Sequence, residues 1–384
     1  MRFEFSTANR IVFGPGALDE LEPLARSLGR RALLITGRAP ERAAAAQERL
    51  AAAGVESMCF RIAGEPTIED VRRGCALAGE SGCDFVVACG GGSAIDAGKA
   101  IAALLANAGD PLDYLEIVGR GRPLTRPSLP FVAVPTTAGT GSEVTRNAVL
   151  TSPEHRTKAS LRSPGMLPRA ALVDPGLLSG LPPHLVAGSG LDALTQLIEP
   201  FVSLRASPLL DGLCREGITR SARSLRRGFE GDLSEAVRID LAMASLFGGL
   251  ALANAGLGAV HGIAGPVGGM FGAPHGAACA ALLAPVVRAN ARALQSRRPR
   301  SPALGRYREI AAIVTGRAEA GTADLVSWLE TLVDALAVPR LSRWGVSAAD
   351  LPVLAAKARA ASSMKGNPVD LEDQEIEAIL QASL

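Results

Sequence analysis

The sequence lacks closely paired cysteines, long uninterrupted apolar runs and an export signal. Its six cysteines show no C-x-x-C spacing and most lie among apolar neighbours, which argues against a disulfide framework. The longest apolar stretch, at 277–287, contains Pro285 and is shorter than the roughly 20 residues that a membrane span needs. The first residues resemble a strand and a turn rather than a signal peptide. We therefore expect a cytoplasmic protein outside the membrane.

Charge of either sign is not in excess, and lysine is scarce. The formal net charge is +2 over 384 residues, and the arginine clusters at 220–227 and 297–300 are balanced by acid elsewhere, which argues against nucleic acid as a partner. Lysine fills four of the 40 basic positions. With 48% apolar residues, the composition is typical of a soluble enzyme, and the length suggests two domains.

A glycine loop joins a strand to a helix in the first half of the chain. Residues 84–99 read DFVVACGGGSAIDAGK, in which an apolar strand runs into Gly91, Gly92 and Ser93. Glycines let the backbone approach an anion, free N–H groups at a helix start bind phosphate, and Ser93 is a candidate helix cap. Because the spacing is not G-x-G-x-x-G, the three consecutive glycines alone are equally consistent with a structural turn.

A second loop of small residues strengthens the nucleotide interpretation. The sequence PTTAGTGSEVT, at 135–145, follows another apolar strand and offers the hydroxyl groups of Thr136 and Thr137 among others. Two such loops in one half predict a nucleotide cofactor. Lys99 and Lys158 lie beside these segments and offer a compact cation in a chain that otherwise uses arginine, although chance placement is the alternative.

The pattern of strands and helices changes at about residue 184. Before it, apolar strands alternate with helical patterns, which predicts an α/β domain with a parallel sheet covered on both faces. After it, helical periodicity without strands predicts a helical-bundle domain with a surface loop at 295–305. The expected domains are 1–184 and 185–384. The predicted strands are 32–36, 85–89, 131–134 and 171–173, and examples of the predicted helices are 241–252 and 323–336.

The helical half carries residues able to bind a metal ion. Asp192 and Gln196 lie four positions apart and therefore on one face of a helix, and His261 and His275 are two of four histidines in the chain. An acid and two imidazoles that converge would form a metal site. A helical Asp with Gln one turn later is also common at surfaces, and a buried histidine is commonly a core residue, so spacing alone leaves both interpretations open.

In this order and spacing, GGGSAIDAGK, PTTAGTGSEVT, LDALTQLIEP, NAGLGAVHG and PHG resemble the iron-containing (group III) alcohol dehydrogenases over essentially the whole chain. The resemblance implies an N-terminal dinucleotide-binding domain and a C-terminal helical domain. Between them it implies a cleft in which a divalent metal, Fe²⁺ or Zn²⁺, faces the nicotinamide of NAD(P). It further implies a homodimer that transfers hydride between a small alcohol and a carbonyl compound, with the metal acting as a Lewis acid.

The resemblance also implies roles for individual residues. Cofactor contacts are implied for Gly91, Gly92, Ser93, Thr136, Thr137 and Lys158, with the first three at the pyrophosphate. Asp192, His261 and His275 keep the family's usual metal ligands, whereas Gln196 stands where most members have histidine. A carboxamide is a poorer ligand than imidazole. Gln196 either binds weakly, stands back while water completes the shell, or accompanies loss of the metal; we expect the metal to be retained.

Two further departures concern the substrate and the cofactor. Gly265 stands where many members have a pocket histidine, which removes a possible proton relay and enlarges the cleft. Gly37 stands where NAD-preferring relatives place an aspartate against the adenosine ribose, and Arg38 follows it. The loss of a repelling carboxylate predicts that NADP(H) is accepted. The alternative is that Arg38 points to solvent.

Two other functions fit the same motifs. A metal-free reductase similar to the maleylacetate reductases would polarise the carbonyl with side chains, but this chain keeps three metal positions and has no obvious new donor. A nucleotide-binding scaffold with reduced catalysis would also combine intact cofactor loops with altered active-site positions. His155 and His184 are interpreted as surface or loop residues in every case.

Overall fold

The computed structural model describes residues 2–384, which form two compact units. The sheet unit is Ser6–Gly180, and the helical unit is Leu181–Leu384 with the N-terminal residues up to Phe5. The strands are β1 (Ile11–Phe13), β2 (Arg31–Thr36), β3 (Glu56–Arg61), β4 (Phe85–Gly90), β5 (Phe131–Pro135), β6 (Asn147–Ser152), β7 (Thr157–Arg162) and β8 (Ala170–Val173). The helices of the sheet unit are α1 (Leu21–Leu28), α2 (Ala44–Ala52), α3 (Ile68–Glu80), α4 (Gly92–Ala106) and α5 (Pro111–Tyr114).

Six strands of the sheet unit form one parallel sheet in the order β1-β8-β5-β4-β2-β3, and β6 pairs with β7 in a separate antiparallel hairpin. The prediction of an α/β domain with a parallel sheet is confirmed, and the four predicted strands correspond to β2, β4, β5 and β8. Their apolar runs reflect burial on both faces. Leu33 and Leu34, adjacent on β2, belong to separate cores on opposite faces of the sheet.

The helical unit contains α6 (Pro183–Val202), α7 (Pro208–Phe229), α8 (Glu235–Ala255), α9 (Ala259–Phe271), α10 (His275–Arg297), α11 (Pro302–Thr315), α12 (Thr322–Ala335), α13 (Leu351–Ala360) and α14 (Asp373–Ala382). Within residues 2–384 no strand follows Val173, so the predicted all-helical half is confirmed. The predicted loop at 295–305 is wrong in extent. Ser301 accepts a hydrogen bond from the Ala303 N–H and Pro302 fits the first turn, so α11 begins earlier than expected.

Two helices, α8 and α10, have the length and apolar composition of membrane spans. Their apolar windows are 61% and 67% buried inside the unit, which is typical of core helices. The helix α10 is longer than its apolar stretch at 277–287, because it continues through Pro285 instead of ending there.

Candidate metal and cofactor sites

Three helices of the helical unit bring four possible metal ligands together. Asp192 lies on α6, His261 in the first turn of α9, and His275 and Cys279 on the first turns of α10. One ligand atom from each of these residues lies within 4.8 Å of the others, and we call the four residues the donor cluster. Asp192, His261 and Cys279 are buried, whereas the His275 side chain is 32% exposed.

The close approach of α10 to α6 depends on a glycine beside His275. A Cβ added at Gly276 would overlap the carbonyl oxygen of Gly188 on α6, so only glycine allows these backbones to meet. The preceding turn is fixed by Gly272, which ends α9 at a φ of 68°, and by Pro274, which comes directly before α10. The Gly276 contact and the turn between α9 and α10 together set the position of the His275 imidazole relative to Asp192.

Glu199 orients His261 by contacting Nδ1, the ring nitrogen that does not face Asp192. Its Oε2 is 2.7 Å from His261 Nδ1, and its Oε1 accepts the Val260 N–H at 2.7 Å. The imidazole therefore donates from Nδ1 and has a free lone pair on Nε2, which is the arrangement of a metal-bound histidine held by a carboxylate. Sequence reasoning missed Glu199, although it follows Asp192 by two helical turns on the same face of α6.

The donor cluster contains buried acceptors that no protein donor satisfies. Asp192 Oδ1 and His261 Nε2 are 3.3 Å apart, yet neither atom has a hydrogen-bond partner among residues 2–384. Leaving buried acceptors unpaired costs free energy, and two that face each other require a cation. The residues present therefore fit a divalent metal ion.

The electrostatics of the cluster agree with this. Burial opposes ionisation of Asp192, but the charges of His275 and His261 outweigh it and lower its pKa. Burial likewise opposes the charged form of His261, but Cys279, Glu199 and Asp192 raise its pKa well above the usual value. The cluster thus attracts positive charge, and a proton and a metal ion compete for the same lone pairs.

Gln196 is buried one turn after Asp192, and its amide oxygen has no hydrogen-bond partner among residues 2–384. A Cβ added at Gly248 of α8 would lie 3.4 Å from Gln196 Oε1, so the amide oxygen faces α8. Gly265 lies two turns into α9, and an added Cβ there would meet nothing within 4 Å. His155 and His184 are exposed, as interpreted from the sequence.

In the sheet unit, the two predicted cofactor loops contact each other after β4 and β5. A Cβ added at Gly91 would lie 3.2 Å from Thr137 Oγ1, and one at Gly92 would lie 2.5 Å from Thr140 Cγ2. The Thr136 N–H donates to the Gly90 carbonyl at 2.9 Å. Because the carboxyl ends of parallel strands meet at one edge, the glycines and hydroxyl groups form a single surface there.

Ser93 does not cap α4. The N-cap is Gly91, and no side chain accepts a hydrogen bond from the first turn, so the expectation of a serine cap is wrong. Ser93 lies instead inside the first turn. The Ala94 N–H donates to the Gly91 carbonyl at 3.0 Å, whereas the N–H groups of Gly92 and Ser93 have no hydrogen-bond partner among residues 2–384. A ligand rather than a side chain is left to satisfy them.

Lys99 and Lys158 have different roles in the structure. Lys99 is buried, and its Nζ donates to the carbonyls of Ser142 and Asn147 and to Thr145 Oγ1. It anchors the second loop to α4 and is not available to phosphate. Lys158, on β7, has a side chain only 9% exposed and lies 3.2 Å from Glu65 Oε1.

The segment after β2 is open at Gly37. A Cβ added at Gly37 would meet nothing within 4 Å. The Arg38 side chain donates from Nε to the Ala63 carbonyl at 3.1 Å, and Arg61 donates to the Arg38 carbonyl at 2.7 Å. Two exposed guanidinium groups therefore lie beside Gly37.

Comparison with known proteins gives matches over the whole chain. Two family models match, iron-containing alcohol dehydrogenase at residues 8–175 and the Fe-containing alcohol dehydrogenase C-terminal family at 186–384. The 1,3-propanediol dehydrogenase of Klebsiella pneumoniae is 35% identical, covering 99% of this chain and 98% of that protein. Lactaldehyde reductase of Escherichia coli (strain K12) is 33% identical, with coverage of 95% and 97%.

Solved structures agree. A crystal structure of a 1,3-propanediol oxidoreductase has a TM-score of 0.91 at 33% identity and covers 100% of both chains. Sulfoacetaldehyde reductase from Bifidobacterium kashiwanohense in complex with NAD⁺ has a TM-score of 0.88 at 27% identity, covering 100% of this chain and 99% of that one.

Proposed function

This chain belongs to the iron-containing alcohol dehydrogenase family and interconverts an alcohol with an aldehyde or ketone, and we propose that it holds its metal ion with Asp192, His261 and His275. The observation that carries this proposal is the pair of unsatisfied buried acceptors, Asp192 Oδ1 and His261 Nε2, at 3.3 Å. The family uses NAD(H) and a divalent metal. Fe²⁺ and Zn²⁺ both suit this nitrogen and oxygen donor set.

The protein residues divide the work of positioning. When bound, the metal supplies Lewis acidity to the substrate oxygen, and the nicotinamide gives or accepts the hydride. Glu199 accepts a hydrogen bond from His261 Nδ1 and so fixes the tautomer that leaves Nε2 free for the metal. Because the His275 side chain is 32% exposed, we propose that the substrate oxygen approaches the cluster on that side.

Open space at Gly265 supports a wide substrate site. Glycine offers no group to carry a proton, so we propose that the proton leaves through water or a ribose hydroxyl. Replacing Gly265 with histidine meets no steric obstacle within 4 Å of the new Cβ. The Gly265→His variant is expected to accept bulky aldehydes less well than the wild type while retaining small ones.

For the cofactor, we propose that the pyrophosphate binds at Gly91, Gly92 and Ser93 and that Thr136 and Thr137 contact the nicotinamide-side phosphate and ribose. The contact between the two loops and the open N–H groups of α4 support this proposal. Lys158 lies in the hairpin that follows the second loop, and we propose that it contacts the cofactor.

We propose that NADP(H) is accepted, because Gly37 carries no carboxylate and Arg38 and Arg61 flank it. The Gly37→Asp variant is expected to lower kcat/KM for NADPH roughly tenfold or more with little effect on NADH, since it adds a repelling charge. Arg49→Ala, which removes an exposed arginine on α2, is the control. A wild-type enzyme that strongly prefers NADH would contradict the proposal.

The metal proposal is tested by elemental analysis together with NAD(P)H-dependent aldehyde reduction before and after chelation. About one iron or zinc per chain, with activity lost on chelation, is expected. Metal-free protein with unchanged activity would indicate a metal-free reductase instead. Protein with neither metal nor activity on a broad carbonyl panel would indicate a nucleotide-binding scaffold.

We also propose that the protein works as a homodimer in the cytoplasm, as the family resemblance implies. Light scattering during size-exclusion chromatography measures the mass directly. A mass of one chain would contradict the dimer.

A further inference from the structure

Cys279 lies in the donor cluster, although in the sequence it looks like one more small core cysteine. Its Sγ is 3.7 Å from His275 Nε2 and within 4.8 Å of the ligand atoms of Asp192 and His261. The side chain is fully buried. From this position we infer that the Cys279 thiolate is the fourth protein ligand of the metal and that Gln196 is not a ligand. The inference rests on the metal site proposed above.

Helix geometry makes Cys279 a natural partner of His275. The two residues lie four positions apart on α10, so their side chains share one face and lie one above the other. Gly276, Ala277 and Ala278, which lie between them, carry no side chain larger than a methyl group. A single helix therefore supplies two donors without any change of backbone.

Gln196 offers a poorer ligand atom than Cys279. Its amide oxygen faces Gly248 of α8 and has no hydrogen-bond partner among residues 2–384. A carboxamide oxygen is a weaker ligand for Fe²⁺ or Zn²⁺ than a thiolate. If the neutral Gln196 amide were the fourth ligand, the Asp192 carboxylate would be the only charged ligand and would neutralise half the charge of a divalent ion. The Asp192 carboxylate and a Cys279 thiolate together carry two negative charges, which match the ion and reduce the cost of burying it.

A thiolate ligand changes which metals the site prefers. Sulfur is a soft donor that favours Zn²⁺ or Fe²⁺, whereas Mg²⁺ and Mn²⁺ prefer sites made of oxygen. The inferred set of one carboxylate, two imidazoles and one thiolate is expected to discriminate strongly against Mg²⁺. The exposed side of His275 leaves room for a further oxygen atom.

X-ray absorption of the wild-type enzyme loaded with Zn²⁺ tests the inference without any substitution. We expect one sulfur neighbour at about 2.3 Å beside nitrogen and oxygen neighbours at about 2.0–2.2 Å. A fit with nitrogen and oxygen alone would overturn the inference while leaving the proposed metal site intact. Protein that takes up no Zn²⁺ at all would overturn both.

Co²⁺-loaded variants give a second readout. The near-ultraviolet absorption of a thiolate bound to Co²⁺ is expected in the wild type and in Gln196→Ala, and is expected to be absent in Cys279→Ser. Cys214→Ser is the matched control, because Cys214 is equally buried but lies on α7 outside the cluster. Absence of the band from the wild type, or its retention in Cys279→Ser, would overturn the inference.

Discussion

Glu199 determines which nitrogen of His261 is free to bind a cation. The short contact to Nδ1 holds the imidazole in one tautomer, and the second carboxylate oxygen ties the same residue to the start of α9. Both side chains are almost completely buried, so water does not take over this role. The orientation of His261 therefore depends on one carboxylate on a neighbouring helix.

Replacing Glu199 with glutamine is expected to weaken metal binding by roughly 10- to 100-fold. The amide places a donor group or a weaker acceptor against Nδ1, and the imidazole loses its fixed orientation. Competition with a chelator measures the metal dissociation constant. Glu216→Gln, on the exposed face of α7, is the control. Equal affinities in the wild type and in Glu199→Gln would contradict this role.

Glu143, in the second cofactor loop, is a buried carboxyl group. Its burial destabilises the folded state by an amount that depends on pH. Burial raises its pKa to about 7, although its own backbone hydrogen bond and the charge of Lys99 oppose the rise. In the unfolded chain the carboxyl group ionises near its ordinary pKa of 4.5. Between these two values the unfolded chain loses its proton first, so rising pH favours unfolding, and above pH 7 the cost is constant.

The Glu143→Gln variant is expected to gain stability relative to the wild type as pH rises. The difference should be small near pH 4.5 and approach on the order of 3 kcal/mol above about pH 7. Urea unfolding at several pH values measures it. Glu154→Gln, in the exposed turn between β6 and β7, should show no such trend. A difference independent of pH would contradict the assignment.

At the scale of helices and strands, the apolar pattern predicts an element best where that element is buried on both faces. The strands β2, β4, β5 and β8 were visible for this reason. The edge strand β3 was missed because its ESMCFR sequence has only exposed and half-buried positions and no apolar run. The periodicity of a sequence does not predict that a strand lies at the edge of a sheet, because this position depends on how the strands pair.

The candidate metal site also has residues that the sequence identifies and residues that only the packing of the helices identifies. Asp192, His261 and His275 were identifiable because Asp and His are chemically distinctive and match a known family. Glu199 and Cys279 were not, because their significance depends on how α6, α9 and α10 pack together. The spacing of Cys279 from His275 is visible in the sequence, but a cysteine among alanines also resembles a core residue.

At the scale of helices, a substitution at the contact between α10 and α6 is expected to alter the metal site. Gly276→Ala adds a methyl group against the Gly188 carbonyl and must displace the start of α10, which carries His275. We expect a destabilisation of about 1–3 kcal/mol together with reduced metal content. Thermal unfolding and elemental analysis measure the two effects.

Gly305→Ala provides the matched control. Gly305 lies in α11, where an added Cβ would meet nothing within 4 Å. It should leave metal content unchanged and stabilise the protein by roughly 0.5–1 kcal/mol, because alanine is the better helix former. Wild-type stability and metal content in Gly276→Ala would contradict the role of the close contact.

At the scale of the whole molecule, the proposed metal site and the proposed cofactor site lie in separate units. All four members of the donor cluster belong to the helical unit, and both cofactor loops belong to the sheet unit. A ligand that binds the folded state stabilises the segments it contacts by mass action. Each ligand should therefore leave its own pattern of protection from hydrogen exchange.

Hydrogen exchange is expected to slow in α6, α9 and α10 when Zn²⁺ is added, and in residues 90–96 and 136–145 when NADH is added. The His261→Ala variant should lose the first pattern and keep the second. Mass spectrometry of peptides resolves both. Zn²⁺ protection confined to the sheet unit would contradict the assigned metal site.

The position of the donors along the chain also affects how the protein is made. The ribosome completes the sheet unit, up to Gly180, before Asp192 is synthesised, and Cys279 is the last donor to emerge. We therefore expect the sheet unit to fold during translation without any metal. Metal supply should then control only the maturation of the later half, so a cell short of metal would accumulate chains with a finished N-terminal half and an immature C-terminal one.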